Sequence, residues 1–235
     1  MTAAKPADRV PDAAVVVGAT GAVGGALVRE LLASPRWTRV VAIVRRRVDA
    51  FAGLPGEEKL RLEQIDFADL EGAAARLAEG CGAAFCTVGV SQPSKMAPDE
   101  YHRIDVEYAG AFARGVRSAG AGYIALLSSV GADPSSANRY LRTKADAERA
   151  VTEAGVARTS LFRPSLLVTP EVRYGLQDRL SRVLLPLAAP LLPRRFHQVR
   201  VEDLGRAMRL DAEGSGSPGV HVLHYPDFVA LLRSA

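Results

Sequence analysis

The segment that decides the fold is AAVVVGATGAVG, residues 13–24. Its first five residues form a continuous apolar run, which is typical of a strand buried on both faces of a parallel sheet. The glycines at 18, 21 and 24 follow with the spacing G-x-x-G-x-x-G. An amphipathic helix is predicted next, with Val23, Leu27 and Leu31 on one face and Pro35 at its end. The segment therefore predicts a strand, a glycine turn and a helix.

Each glycine of this turn has a predicted task. One permits a sharp turn, one lets the backbone approach a pyrophosphate, and one lets the helix pack against the strand. The helix N-terminus offers free N–H groups and the positive end of the helix dipole, and Thr20 adds a hydroxyl. A tight turn without a ligand is the alternative. The position after a buried strand favours a dinucleotide site that includes Gly18, Thr20, Gly21 and Gly24.

The second predicted strand, RVVAIV, indicates which dinucleotide is bound. Sites for NAD place a carboxylate at the end of this strand, where it binds the ribose 2′-hydroxyl. Here the strand ends in Arg45-Arg46-Arg47, and the first acid is Asp49. A guanidinium suits a 2′-phosphate, so we expect NADP(H), although arginines that only solvate a loop would give the same pattern. Asp66, after the third strand, is open to two interpretations: an adenine ligand or a helix cap.

The rest of the chain alternates strands and helices. Further strands are predicted at 60–65, 82–89, 122–129, 156–163 and 219–225, with an extended piece near 196–201. Helices are predicted at 69–79, 98–119, 138–155, 175–185, 202–212 and 226–233. This order predicts an α/β fold, a doubly wound and mostly parallel sheet of seven strands. We expect a loose segment at 1–12 and one domain at 13–235, with a small substrate segment after Pro164.

A candidate catalytic group lies on the helix predicted at 138–155. Tyr140 and Lys144 are four residues apart and share a helix face. A nearby ammonium favours the phenolate and makes the phenol a better acid–base group at neutral pH. Ser128 ends the preceding strand, where its hydroxyl would hold a carbonyl oxygen, and Ser129 competes for that role. A surface pair of tyrosine and lysine is the alternative.

Composition and charge exclude several classes of protein. The chain has 235 residues, 30 basic against 26 acidic side chains and a net charge of +4, which suits an anionic small molecule and does not require nucleic acid.

Cys81 and Cys86 provide no disulfide framework, and Cys86 is expected to be a core thiol. His221 and His224 point to opposite faces of a strand, so no metal site is expected. No secretory or membrane-spanning segment is evident, and we predict a cytoplasmic protein.

Some segments keep several interpretations. The apolar run at 183–193 is predicted as a lid over the substrate, a dimer contact or, least favoured, a contact with an anionic membrane surface. The oligomeric state stays open between monomer and homodimer. His102 and Asp105 are interpreted as a surface pair in preference to a lining of the cofactor cleft, and Trp37 is expected to pack at the start of the second strand.

Several motifs together resemble the atypical short-chain dehydrogenase/reductase family, in its Tat-interacting oxidoreductase-like group. They are GATGAVG, IVRRR, FCTVGVS, YHRIDVEYA, LLSSVGADPSSANRYLRTK and LFRPSLLV, in this order between residues 14 and 168. The resemblance implies a Rossmann fold that binds NADP(H). The loop Gly89-Val90-Ser91-Gln92 departs from the Gly-Thr-Thr of that group, so substrate contacts there do not transfer.

The resemblance also implies roles for particular residues. Thr20, Gly21, Ala22 and Val23 would line the pyrophosphate, Arg45 and Arg46 the 2′-phosphate, Val88 and Gly89 the ribose, and Leu167 the nicotinamide side through its backbone. Tyr140 would transfer a proton with Lys144 as its partner, and Ser128 aligns with the serine of the group. Some members are regulatory proteins. The expectation is therefore an NADPH-dependent oxidoreductase acting on a small carbonyl or alcohol, with an NADP(H)-binding regulator of little turnover as the alternative. A sugar-nucleotide epimerase is disfavoured because only 72 residues (235 − 163) follow Arg163.

Overall fold

Seven parallel strands form the central sheet of the computed structural model, which describes residues 12–90, 95–169 and 193–234. Their order is β3-β2-β1-β4-β5-β6-β9, and β7 pairs with β8 in a separate two-stranded sheet. The bounds are β1 Ala13–Val17, β2 Arg39–Val44, β3 Leu60–Gln64, β4 Ala83–Cys86, β5 Tyr123–Leu127, β6 Arg158–Phe162, β7 Leu167–Val168, β8 Val199–Arg200 and β9 Gly219–Leu223. The predicted doubly wound α/β fold is confirmed, because the strand order reverses between β1 and β4.

Helices cover both faces of the sheet. They are α1 Ala22–Ala33, α2 Leu70–Leu77, α3 Pro98–His102, α4 Tyr108–Ser118, α5 Arg139–Glu153, α6 Val201–Glu213 and α7 Tyr225–Arg233. One apolar cluster joins the sheet to α1, α6 and α7, and a second joins the opposite face to α2, α4 and α5. Residues 13–17 are buried throughout, as their continuous apolar run predicts.

Glycine lets two pairs of helices approach closely. A Cβ at Gly205 of α6 would lie 2.7 Å from the backbone nitrogen of Leu27 in α1. A Cβ at Gly115 of α4 would lie 2.4 Å from the carbonyl oxygen of Glu71 in α2. Both distances are shorter than any real Cβ contact, so each helix backbone rests directly on its neighbour. The close contact at Gly205 fixes α1, the helix that follows the glycine turn.

The long helix predicted at 98–119 is interrupted. α3 continues into a π-helical segment, Arg103–Glu107, before α4 resumes the α-helical pattern. A π turn adds a residue and rotates the side chains that follow, a change that residue periodicity does not reveal. The predicted helix at 175–185 and the segments 1–11 and 183–192 lie outside the described residues. In the part of the chain that the structure describes, no helix is both long and apolar enough to cross a membrane.

Candidate functional site

The glycine turn after β1 is built by close packing against the end of β4. Gly18 has φ +84°, and a Cβ there would lie 2.5 Å from the carbonyl carbon of Thr87. A Cβ at Gly24 would lie 2.2 Å from the carbonyl oxygen of Gly18 and 2.5 Å from Oγ1 of Thr87. Gly21 is the N-cap residue of α1, and none of the described side chains caps this N-terminus. The first turn also carries no acid, so the N–H groups and the positive helix end face outward for an anion.

A cleft of about 400 Å³ opens beside this turn. Seven residues singled out by the sequence line it: Gly18, Thr20, Gly21, Arg45, Arg46, Val88 and Gly89. The structure adds seven more: Ile43, Val44, Val48, Phe67, Thr87, Ile104 and Tyr108. The cleft lies at the carboxyl ends of β1, β2 and β4, where the strand order reverses. Open α/β sheets bind ligands at this position.

The three consecutive arginines divide between two cavities. Arg45 and Arg46 line the cleft with the glycine turn, and the Arg45 guanidinium lies 5.8 Å from the centre of the Phe67 ring. Arg47 and Asp49 instead line a neighbouring cavity of about 480 Å³. The first acid after β2 is therefore not among the residues that line the cleft, whereas two of the three arginines are.

Several other predicted cofactor residues have structural roles. Val23 and Gly24 are buried, so only their backbone could meet a pyrophosphate, and Ala22 begins α1 half-buried. Asp66 accepts a hydrogen bond of 3.0 Å from the backbone of Ala68 and caps a 3₁₀ turn, which is one of its two interpretations. Leu167 lies in β7 and packs against the apolar cluster on the α1 side.

Tyr140 and Lys144 lie on one face of α5, as their spacing predicts. Asn138 caps this helix by accepting a hydrogen bond of 2.9 Å from the backbone of Tyr140. Lys144 is buried and Tyr140 is half-buried, with Nζ of Lys144 5.8 Å from the centre of the phenol ring. A Cβ at Gly89 would lie 3.1 Å from Nζ of Lys144. The tyrosine and lysine therefore adjoin the cleft at Gly89 and are not a surface pair.

Asp105 is a member of the site that the sequence interpretation placed wrongly. Its Oδ2 lies 2.7 Å from Nζ of Lys144, and its Oδ1 accepts a hydrogen bond of 2.8 Å from the backbone of Val90. His102, the expected surface partner, is exposed and lies 3.5 Å from Glu107 instead. The π-helical segment turns Asp105 inward, and such segments are frequent at functional sites.

The ion pair determines the protonation of Lys144. Burial acts to lower the pKa of this ammonium, whereas the charge and the hydrogen bond of the Asp105 carboxylate act to raise it. The net effect raises the pKa of Lys144 above its ordinary value, so the ammonium stays charged at neutral pH.

The two candidate serines have different surroundings. The hydroxyl of Ser128 is buried and donates to Oε1 of Glu148, which also accepts a hydrogen bond of 2.8 Å from Nε of Arg163. Nη2 of Arg163 donates to the other oxygen of Glu148, so the pair is bidentate. Ser129 is half-buried, and within the described ranges its hydroxyl makes one long contact, of 3.4 Å, with the carbonyl oxygen of Val130. The Ser128 hydroxyl is thus engaged by a buried carboxylate, whereas the Ser129 hydroxyl is not.

Residues set aside by the sequence occupy the core. Burial raises the pKa of the Cys86 thiol to about 12, so it is an unreactive core thiol, as predicted. Trp37 is buried, and its indole nitrogen donates a 2.7 Å hydrogen bond to Glu213. The phenol of Tyr101, which the sequence did not single out, is also buried beside Asp105 and Tyr140.

Comparison with known proteins agrees with this geometry. The family model described as NAD(P)H-binding matches residues 18–183. Protein HTATIP2 of Rattus norvegicus is 32% identical over 157 residues, which are 65% of this chain and 62% of that protein. The mitochondrial protein fmp52 of Emericella nidulans is 27% identical over 152 residues, 65% of each chain. The match thus spans less than two thirds of each of these relatives.

Structures of known proteins share the fold. MoeE5 in complex with UDP-glucuronic acid and NAD has a TM-score of 0.67 and 25% identity, covering 89% of this chain and 75% of that one. DesIV, a dTDP-glucose 4,6-dehydratase from Streptomyces venezuelae crystallised with NAD, has a TM-score of 0.68 and 19% identity, covering 94% and 80%. The glycine turn, the cleft at the strand reversal and the family match lead to one conclusion: this chain belongs to the NAD(P)H-binding family.

Proposed function

We propose that this protein is an NADPH-dependent oxidoreductase acting on a small carbonyl or alcohol substrate. The observation that carries the choice of cofactor is the division of the arginines after β2. Arg45 and Arg46 line the same cleft as the glycine turn, whereas Asp49 lines the neighbouring cavity. A 2′-phosphate would gain charge-assisted hydrogen bonds there, and a ribose 2′-hydroxyl would lack its carboxylate partner.

Different residues around the cleft would contact successive parts of a bound dinucleotide. The N-terminus of α1 would hold the pyrophosphate, Arg45 and Arg46 the 2′-phosphate, and Val88 and Gly89 the nicotinamide ribose. When bound, the nicotinamide supplies or accepts a hydride. Tyr140 would give a proton to a carbonyl oxygen during reduction or take one from an alcohol during oxidation. Lys144 would hold the phenol and the ribose in place, and Leu167 would border the nicotinamide side through its backbone.

The hydrogen bonds of the two serines bear on which one holds the substrate oxygen. Ser128 is the residue that the sequence favours, but its hydroxyl proton is donated to Glu148. We therefore assign the oxygen to Ser129 and a supporting role to Ser128, whose bond to Glu148 ties the end of β5 to α5. Turnover of Ser129→Ala and Ser128→Ala compared at saturating NADPH tests this assignment. A loss confined to Ser128→Ala would return the role to Ser128.

A regulator that binds NADP(H) with little turnover is the second candidate. One observation favours it: Lys144 and Ser128, two of the three predicted catalytic groups, already bond to buried carboxylates. Both candidates need the glycine turn and the two arginines, but only the enzyme needs the Tyr140 hydroxyl.

Calorimetry and turnover together test the proposal. We expect NADPH to bind more tightly than NADH, and NADPH consumption over a panel of aldehydes and ketones to fall at least tenfold in Tyr140→Phe. Tight NADPH binding with no consumption by the wild type would select the regulator. Equal affinity for NADH and NADPH would contradict the roles of Arg45 and Arg46.

Location and assembly stay predictions. The cytoplasmic location competes with a mitochondrial one, because the fungal relatives are named mitochondrial proteins. Monomer or homodimer, the absence of nucleic-acid binding and the membrane contact of 183–193 are untested. Cell fractionation tests the location, and light scattering of the full chain tests the oligomeric state. Vesicle co-sedimentation tests the membrane contact.

A further inference from the structure

The ion pair between Asp105 and Lys144 is buried next to the cleft at Gly89. The Asp105 side chain is fully buried, and 8% of the Lys144 side chain is exposed. The carboxylate is also held by the backbone of Val90, in the loop after β4. It therefore joins three elements: the π-helical segment, the loop beside Gly89 and helix α5.

The charged and titratable groups around Tyr140 and Lys144 give Asp105 a special place. Cys86 of β4 and Tyr101 of α3 are buried, and burial raises the pKa of both, so they are neutral at physiological pH. The guanidinium of Arg139 lies 5.3 Å from the centre of the Tyr101 ring. The buried carboxylate of Glu148, one helical turn beyond Lys144, is paired with Arg163. Among the described groups around the pair, Asp105 is therefore the anion that forms an ion pair with the ammonium.

We propose that Asp105 is a positioning residue whose carboxylate, 2.7 Å from Nζ of Lys144, offsets the charge of this ammonium and so limits how far the ammonium stabilises a phenolate at Tyr140. An uncompensated ammonium beside a phenol favours the phenolate. With Asp105 2.7 Å from Nζ of Lys144, the negative charge of the carboxylate opposes the effect of the ammonium at the phenol, and the stabilisation of the phenolate is reduced. This inference rests on the proposed function, in which Tyr140 is the proton-transfer group.

The charge balance gives the site a preferred direction. Reduction of a carbonyl needs the protonated phenol as a donor, whereas oxidation of an alcohol needs the phenolate as an acceptor. An anion that limits the stabilisation of the phenolate therefore favours the donor form that reduction uses.

Titration of Tyr140 in the protein without cofactor tests the proposal. The near-ultraviolet phenolate absorbance of each protein minus that of its Tyr140→Phe counterpart isolates Tyr140. We expect the Tyr140 phenolate to appear about one pH unit or more lower in Asp105→Asn than in the wild type. Asp146→Asn is the matched control, because it removes the same charge from an exposed pair with Arg149 on the same helix. An unchanged or higher titration in Asp105→Asn would overturn the proposal.

A second variant keeps the test decisive if Asp105→Asn does not fold, as judged by circular dichroism. In Lys144→Met the carboxylate faces the phenol alone, so the Tyr140 phenolate should appear at a higher pH than in the wild type. A titration at or below that of the wild type would refute the charge balance. Neither measurement uses cofactor or substrate, so its failure is distinct from a failure of NADPH binding or turnover.

Discussion

Replacing Gly24 by alanine should weaken both the fold and the binding of the dinucleotide. The added Cβ would lie 2.2 Å from the carbonyl oxygen of Gly18 and 2.5 Å from Oγ1 of Thr87. Two of the atoms it meets belong to the Gly18 backbone, so the clash cannot be relieved by a rotamer change alone. Helix α1 would have to move away from the turn, and its N–H groups would move with it.

The neighbouring glycine provides a matched control and sets the magnitude. A Cβ at Gly25 would lie 3.4 Å from the flexible end of Arg29 and 3.5 Å from the carbonyl oxygen of Ala19, which are ordinary contacts. Both variants gain about 1 kcal/mol of helix propensity, so the difference between them isolates the clash. Overpacking costs about 1–3 kcal/mol, and the backbone clash at Gly24 places it near the upper value.

Thermal unfolding and calorimetry measure the two effects. A difference of about 3 kcal/mol corresponds to Gly24→Ala melting roughly 6–12 °C below Gly25→Ala. NADPH affinity should fall in Gly24→Ala and stay unchanged in Gly25→Ala. If the two variants melt together and bind NADPH equally, the glycine turn is not packed as described and does not hold the pyrophosphate.

Three further predictions concern charge and protonation. Arg46→Ala should lose about 10–150-fold in NADPH affinity and little in NADH affinity, as calorimetry would show, whereas Arg47→Ala, in the other cavity, should change neither. Glu148→Gln should lower the free energy of unfolding, measured in urea, by about 3 kcal/mol. This is the lower end of the range for breaking a buried ion pair, because the side chain of Arg163 is 22% exposed. An unchanged urea midpoint would contradict this prediction. Burial raises the pKa of Tyr101, so as the pH rises the unfolded chain loses the phenol proton at a lower pH than the folded protein does. The free energy of unfolding should therefore fall above a pH of about 10, and it should fall less steeply in Tyr101→Phe.

The parts of the site that the sequence predicts are those fixed by local spacing. The glycine turn follows a buried strand directly, and Tyr140 and Lys144 share a face because they are one helical turn apart. The seven-stranded parallel sheet follows from the alternation of apolar strands and amphipathic helices.

The sequence did not predict contacts between segments that are far apart in the chain. Asp105 lies in the π-helical segment, which departs from the α-helical pattern, and pairs with Lys144, whereas the sequence interpretation preferred a surface pair with His102 over a lining of the cleft. The bond from Ser128 to Glu148 depends on how α5 crosses the end of β5. Glu148 lies one helical turn beyond Lys144, on the same face of α5, which was an available signal that an acid points toward the site.

The close approach of α6 to α1 has a consequence for recognition. Gly205 seats α6 against the backbone of Leu27, and Gly24 seats the other side of α1 against the turn. Helix α1, whose N-terminus faces the anion, is thus held in place in the protein without ligand. The entropy cost of ordering this helix falls on folding and does not reduce the binding affinity. Because the helix is preorganised, the association rate should not be limited by a conformational change. Gly205, far along the chain from the glycine turn, should also affect the affinity for a phosphate group.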